Sequence, residues 1–292
     1  MESGFRGLHP TLQFLYYCCM AILIMFYNQP FFLIVCCVIL IFINVVQDGW
    51  RKLIKWMKSI LLLGSFIVLL NAFFVAEGTT HLWTIWGNDI MLEPILFGII
   101  TTFMLMAILL LFASFNSTLN GQKFLYIFSS FFQRTAFITM LAMRFVPLLK
   151  TRLQEITDVQ RIKGLSLTSG KLRERARSGM LFLQILLTWS LGEAVDTADA
   201  MSARGYGIGK RSQYKPYRFD IKDGIYASIL LCLFTFCIVG LLLGHGRITI
   251  YPEYKALSFT VVDAIFFICF TLLSAFPLMI EGGDELRWHY FK

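Results

Sequence analysis

Three kinds of residue pattern in this 292-residue chain could carry chemistry of their own, and each falls short of what its reaction needs. A phosphate-binding loop requires Gly-x-x-x-x-Gly-Lys-Ser/Thr after a strand, because backbone amides cradle the phosphate and the hydroxyl holds magnesium. Gly164 to Gly170-Lys171-Leu172 has one residue too many and Leu where the hydroxyl belongs. Gly205-Tyr206-Gly207-Ile208-Gly209-Lys210 is glycine-rich, but no strand pattern precedes it. Both read as loops, so any nucleotide-derived energy must come from another chain. The four His, at 9, 81, 245 and 289, are scattered and form neither a His-Glu-x-x-His pair nor a local triad. The seven Cys lie inside apolar runs without a Cys-x-x-Cys spacing, and read as reduced thiols acting as small hydrophobes rather than a disulfide framework or a zinc site. An intramembrane enzyme would need a buried acid, base or nucleophile, and the candidates are Asp263 and Arg134. Asp263, near the outer boundary of its apolar run, is expected to snorkel; Arg134, beside Gln133, is expected to face head groups or neighbouring helices. No catalytic residue, metal ligand or resident cofactor is assigned to this chain.

A more specific pattern lies in the basic segment. From Arg144 the sequence reads RFVPLLKTRLQEITDVQRIKGL, with Phe145, Leu149, Leu153, Ile156 and Val159 at steps of four, four, three and three, one stripe of an amphipathic helix. Pro147 sits near its first turn, or else kinks a helix continuing from the run at Phe124 to Met143. A second helix is expected from about Gly179 to Arg204, with a stripe of Leu187, Leu191, Ala194, Ala198 and Met201. Both close alike, with an apolar or small residue, a cation and a glycine: Ile162-Lys163-Gly164 and Ala203-Arg204-Gly205. A cation is favoured at a helix C-terminus by the dipole, and glycine lets the chain turn and another surface approach. Two such endings about forty residues apart, in a chain without an ATP site of its own, suit a pair of similar docking knobs for two similar subunits. The stripes themselves suit either internal packing or contact with another membrane protein.

The elements that must position these endings follow from composition. The chain is 57% apolar and 15% charged, whereas a water-soluble domain is about a quarter charged; its 29 Phe and 6 Trp exclude disorder. Residues 12–27, 30–46, 59–76, 94–115 and 225–243 contain no Asp, Glu, Lys or Arg, and 258–280 contains only Asp263. A helix needs roughly 20 residues to cross the hydrocarbon core, so six spans are expected. The short first two, joined at Asn28-Gln29-Pro30, read as a helical hairpin, with a re-entrant pair as the alternative. Asn71, in mid-span, is expected to make an interhelical hydrogen bond. Residues 48–58 carry four Lys and Arg and residues 77–93 none, which places the first loop in the cytoplasm, the second outside, and both termini inside. Residues 121–223 hold 17 Lys and Arg against 8 Asp and Glu, and so contain the whole positive excess of this +8 chain. Such a block meets anionic lipid or an acidic partner; nucleic acid is not expected. The expected organisation is four N-terminal spans in 1–115, a cytoplasmic-side coupling-helix region in 116–223, and two spans with a short tail in 224–292.

With those residues in view, the chain resembles the transmembrane T component of energy-coupling factor (ECF) transporters, the EcfT/CbiQ type. The resemblance runs from Leu8-His9-Pro10 through Asn71-Ala72-Phe73-Phe74, Glu77-Gly78 and Arg144-Phe145-Val146-Pro147-Leu148-Leu149 to Ala200-Met201-Ser202-Ala203-Arg204-Gly205-Tyr206-Gly207. It implies an all-α integral membrane protein of about six transmembrane helices with two long amphipathic coupling helices, in the plasma membrane of a prokaryote. It implies a non-catalytic subunit that passes ATP-driven motion from two cytoplasmic ATP-binding cassette ATPases, which bind the ATP and Mg, to a substrate-binding S component for uptake of a vitamin or other micronutrient. The docking residues it implies are Ile162, Lys163, Gly164, Ala203, Arg204 and Gly205, with Arg161 as possible support. Contact with the S component would fall on Phe145, Leu149, Leu153, Ile156, Leu187, Leu191 and Met201. Lys163 departs from the family's Arg and Ile162 from its Ala. Lys is a mobile point charge whereas Arg is a planar fork, so that contact is either weaker, matched to a different ATPase, or replaced by Arg161. The alternatives from other classes are the permease of a conventional ABC transporter, which would carry its own substrate cavity, and a membrane scaffold whose basic surface binds lipid.

Overall fold

The structure, a computed structural model, describes residues 4–75, 81–85, 88–129, 132–162, 172–209, 217, 219–248 and 260–282. Two compact units form: Met1–Phe124 with Tyr217–Lys292, and Leu125–Pro216.

In the first unit each charge-free run becomes a helix whose ends are set by local chemistry. Proline opens α1 (Pro10–Phe26) and α2 (Pro30–Asp48), where the missing amide costs nothing because it would have no partner. Gly49, at φ +80°, turns the chain directly into α3 (Trp50–Phe74). A two-stranded antiparallel hairpin, β1 (His81–Ile85) and β2 (Asn88–Met91), leads into α4 (Leu92–Thr118). The sequence pattern gave no sign of this hairpin. A short helix, α5 (Gly121–Ser129), comes next in the chain, and the second unit then holds α6 (Gln133–Ile162) and α7 (Leu172–Ala203). Back in the first unit, capping boxes open α8 (Ile221–Leu242) at Asp220/Asp223 and α9 (Val261–Ser274) at Thr260/Asp263. A further turn of helix, Phe276–Gly282, continues from α9 at a bend of 53°.

By length and apolarity, Pro30–Gln47, Trp56–Phe74, Leu92–Thr118 and Ile221–Leu242 can each cross a membrane, as can the bent pair after Val261 taken as one span. The chain is an all-α integral membrane protein. At 17 residues α1 is a little short. Arg175–Ala203, read from sequence as an amphipathic cytoplasmic helix, also meets the criterion. The reason is local: between Ser178 and Gly192 it has no charged residue.

α1 and α2 follow one another across residues 27–29, where Tyr27 stacks on Phe32 with ring centroids 4.8 Å apart, and each packs mainly on other helices. α1 packs on α4 and α8, and α2 on α4 and α9, with α4 also lying along α3. The contact between α3 and α4 is close because Gly98 faces Val68 and Gly64 faces Thr102, whose hydroxyl also bonds the Gly64 carbonyl at 3.2 Å. Small residues at such a crossing let two backbones approach within a membrane. Asn44 joins α2 to α4 by donating to the Leu110 carbonyl at 3.0 Å. Asn71 does not bridge helices as expected; its amide donates within α3 to the Ile67 carbonyl at 3.0 Å. Buried tyrosines complete the core, Tyr16 donating to the Ser274 carbonyl, Tyr27 to that of Cys237, and Tyr17 pairing with Ser114 and Thr118.

Asp263 does not snorkel. It is 6% exposed, accepts from the Thr260 amide at 2.9 Å to cap α9, and lies 2.7 Å from His245 Nδ1. A carboxylate that satisfies a helix N-terminus has no need to reach water.

His9 caps α1, its Nδ1 accepting from the Thr11 amide, while its own amide bonds Asp223 at the start of α8. Its imidazole is 9% exposed, and burial holds its pKa below the ordinary 6.5 although the charge of Asp223 pulls the other way. The folded chain therefore binds fewer protons at this site than the unfolded chain, so the stabilisation is present above about pH 6.5 and is lost as pH falls below it. Thermal unfolding in detergent should show a lower Tm at pH 5.5 than at 7.5, and His9→Gln should reduce that difference. An unchanged difference would refute the assignment.

Candidate functional site

The second unit is built on its two long helices. α6 continues past Pro147, so the proline lies inside the helix as in the second of the two readings and leaves the Met143 carbonyl without its usual amide donor. α7 begins about seven residues before the expected start. Phe137 of α6 stacks on Tyr206 after α7, ring centroids 5.4 Å apart, and the Arg152 guanidinium lies 4.9 Å over the Trp189 ring while bonding Glu155 at 2.6 Å. Later residues of α6 thus meet earlier residues of α7, which makes the pair antiparallel. The tip of α7 is consequently beside the start of α6, and the tip of α6 is about 38 Å away along its axis. Ile162, the last described residue of α6, and the α7 ending therefore stand at opposite ends of the helix pair.

The α7 ending is fixed in detail. Gly205 takes φ +78°, the Tyr206 amide donates to the Met201 carbonyl and the Gly205 amide to Ser202, both at 3.0 Å. This is the glycine-closed pair of hydrogen bonds that satisfies the last carbonyls of a helix. Tyr206 is then anchored on Phe137, so the turn is held from both sides. Ala203 and Arg204 are exposed, and among the described residues the Arg204 guanidinium makes no hydrogen bond or ion pair. A cation is presented to solvent on a rigid mount. Phe137, Tyr206, Arg152 and Trp189 do this positioning; Tyr206 stands in the glycine-rich run already visible in the sequence, but the other three do not stand out there. Nothing in helical periodicity pairs side chains that lie on different elements.

At the α6 tip, Ile162 is 87% exposed and Arg161 is exposed. Lys163 and Gly164 lie outside the described residues. The two apolar stripes divide differently from the expectation. Leu187 and Leu191 belong to an exposed row that also takes in Met180, Leu183 and Val195, whereas Met201 is half-buried. On α6, Leu153 is exposed while Phe145, Leu149 and Ile156 are half-buried. Among the described residues no group of three or more His, Cys, Asp or Glu could hold a metal ion, and the seven cysteines are free thiols.

The family model for cobalt transport protein, CbiQ, matches residues 1–215, from the N-terminus to the end of the second unit. The chain belongs to the CbiQ family. It is similar to the energy-coupling factor transporter transmembrane protein EcfT of Lacticaseibacillus paracasei, 27% identical over 209 residues that cover 66% of this chain and 76% of the relative. The corresponding protein of Thermotoga maritima is 26% identical, covering 63% of this chain and 69% of its own. That of Lactobacillus helveticus is 27% identical over 69% and 76%. As a CbiQ-family member it is a multi-pass membrane protein of the T-component type, and both endings fall inside the matched region.

Proposed function

We propose that this chain is the coupling subunit of an ECF-type importer. Two cytoplasmic ATPases bind ATP and Mg and dock on Ile162-Lys163-Gly164 and Ala203-Arg204-Gly205. Their closing and opening change how α6 and α7 cross, and an S component resting on the exposed row of α7 takes up that motion and releases a vitamin or other micronutrient inside. In this reading the chain performs no covalent chemistry, lies in the cell membrane and has both termini in the cytoplasm. The observation that carries the proposal is the solvent-exposed Arg204, without an intramolecular partner among the described residues, on a turn held rigid by Gly205 and by the Tyr206–Phe137 stack. A rigid cationic tip transmits displacement; a mobile one would absorb it. The separation of the two tips by about 38 Å suits two ATPases, one at each end, and the relatives' names support membership of an energy-coupling complex.

Mild detergent extraction followed by identification of retained proteins tests this. One or two kinds of ABC ATPase together with a small hydrophobic membrane protein are expected. ATPases without that small protein would favour a conventional permease, and retention of neither would overturn the proposal. Lys163→Arg is expected to leave assembly unchanged or improve it by up to about tenfold, since the fork geometry adds a second bond worth on the order of 1 kcal/mol. A large loss, measured as the ATPase to T-component ratio after affinity purification, would mean that the α6 ending is no counterpart of the α7 ending.

A further inference from the structure

Between the two aromatic contacts that hold α6 on α7, each helix carries one residue that weakens it. On α6 it is Pro147, which stands between Phe137 and Arg152 and has no amide to give the Met143 carbonyl. Its own carbonyl accepts from the Thr151 hydroxyl at 3.2 Å, a side-chain bond of the kind that competes with the helix ladder and bends it. On α7 it is Gly192, between Trp189 and the tip at Arg204. Glycine loosens a helix because its backbone has the most freedom to leave it. Packing gives no reason for a glycine at this point. The residue is exposed, no positive φ requires it, and among the described residues nothing lies within 4 Å of where a Cβ would be. The two weak positions also stand at nearly one height. The Arg152–Trp189 contact sets the register of the antiparallel pair. At about 1.5 Å per residue, Pro147 lies about 7.5 Å from that contact toward the tip of α7, and Gly192 about 4.5 Å in the same direction.

We propose that Pro147 and Gly192 form a paired joint, at which the end of the helix pair carrying Arg204 swings relative to the end held by Arg152 and Trp189. The Phe137–Tyr206 stack makes the first part of α6 follow the turn after α7. Displacement of the tip is therefore taken up between that stack and the Arg152–Trp189 contact. A regular helix resists bending because each carbonyl is tied to an amide one turn on; here that tie is missing at Met143, and α7 is loosest beside the gap. Weakening one helix alone would leave the other as a splint, so the coincidence in height is what makes a joint. Both residues are positioning residues, acting through the helices they interrupt. Use of the joint in transport rests on the coupling role proposed above; its existence does not.

Pro147→Ala and Gly192→Ala test this, because both improve the helix and neither threatens folding. Amide hydrogen exchange of the full-length chain in detergent reads the joint directly. Pro147→Ala should slow exchange at residues 148–151, and Gly192→Ala at residues 192–196, each by about tenfold. Uptake in cells and recovery of ATPases after mild extraction read its use. Each variant should retain the ATPases at the parent's level yet lower uptake by at least about fivefold. Pro147→Gly restores the amide but keeps a weak helical position, and should lie between the parent and Pro147→Ala in both measurements. A merely structural proline or glycine would give more stable variants with full uptake. Exchange as fast in Pro147→Ala as in the parent would overturn the joint, and slowed exchange with unchanged uptake would overturn its part in transport. Uptake lost in Gly192→Ala without a change in exchange would make Gly192 a contact for another chain instead of a joint. A parent that retains no ATPase would sink the coupling role, and the exchange difference would still decide the joint.

Discussion

Arg204→Glu is expected to strip the ATPases from the extracted complex and abolish uptake, while the amount of this protein in the membrane stays near that of the parent. The two halves of that expectation have separate causes. Folding is spared because the side chain is exposed and without a partner among the described residues, and because the turn beneath it is made by backbone bonds from Gly205 and Tyr206 together with the Tyr206–Phe137 stack. Docking is lost because an acidic pocket that receives a guanidinium would then face a carboxylate. Like-charge juxtaposition costs several kcal/mol, and at about 1.4 kcal/mol per tenfold this removes two or more orders of magnitude of affinity. Arg204→Lys keeps the charge but not the planar fork, and should fall between the parent and the Glu variant. Co-purification and uptake measured side by side decide the matter. A complex that survives Arg204→Glu intact would exclude the docking role, whatever the uptake rate.

Gly240→Leu should destabilise the protein severely. Gly240 lies in α8 against Phe266 of α9, and a Cβ added there would sit 2.5, 2.7 and 2.8 Å from three carbons of that ring. The ring cannot easily swing aside. It is buried, packed against Phe236 at 5.0 Å and against the His245 imidazole at 5.4 Å. The Gly240 carbonyl also receives the His245 amide at 3.0 Å, so the backbone is held as well. Overpacking a well-filled site costs about 1–3 kcal/mol and more where neighbours cannot move. The expected result is a marked fall of Tm in detergent, or failure of the protein to accumulate in the membrane; even Gly240→Ala should be measurably worse than the parent. Gly192→Ala in α7 is the control, because nothing lies within 4 Å of a Cβ there and alanine favours helix by about 1 kcal/mol over glycine. If Gly240→Ala proved as stable as Gly192→Ala, the close α8–α9 crossing would be wrong.

The two variants also separate what consecutive residues reveal about this chain from what they conceal. The spans are legible because hydrocarbon imposes one requirement on every residue of a run, and Pro30 to Val46 or Ile225 to Leu243 meets it without reference to neighbours. The cationic ending of α7 is legible because a helix C-terminus, a basic residue and a glycine form a purely local unit. Where a property depends on what stands opposite, neighbours in the chain do not carry it. Asn71 bonds its own helix, Asp263 caps α9 and takes His245, and Pro147 sits inside α6 rather than opening it. The apolarity of Arg175–Ala203 is likewise a sum over residues, but the acids at 193, 196 and 199 make its polar half the more conspicuous.

The order of apolar runs, the bias of positive charge, and the glycine-closed cationic tip of α7 were thus determined by the amino-acid sequence alone, since each is a property of consecutive residues in a given solvent. The tertiary structure decided that α1 packs on α4 and α8 while α2 packs on α4 and α9, and that Ile162 and the α7 tip stand at opposite ends of an antiparallel pair. It also decided that Arg204 is mounted on Phe137 through Tyr206. These are pairings between surfaces distant along the chain. They are selected by shape and by the need to satisfy every buried polar group at once, conditions that no single segment can express.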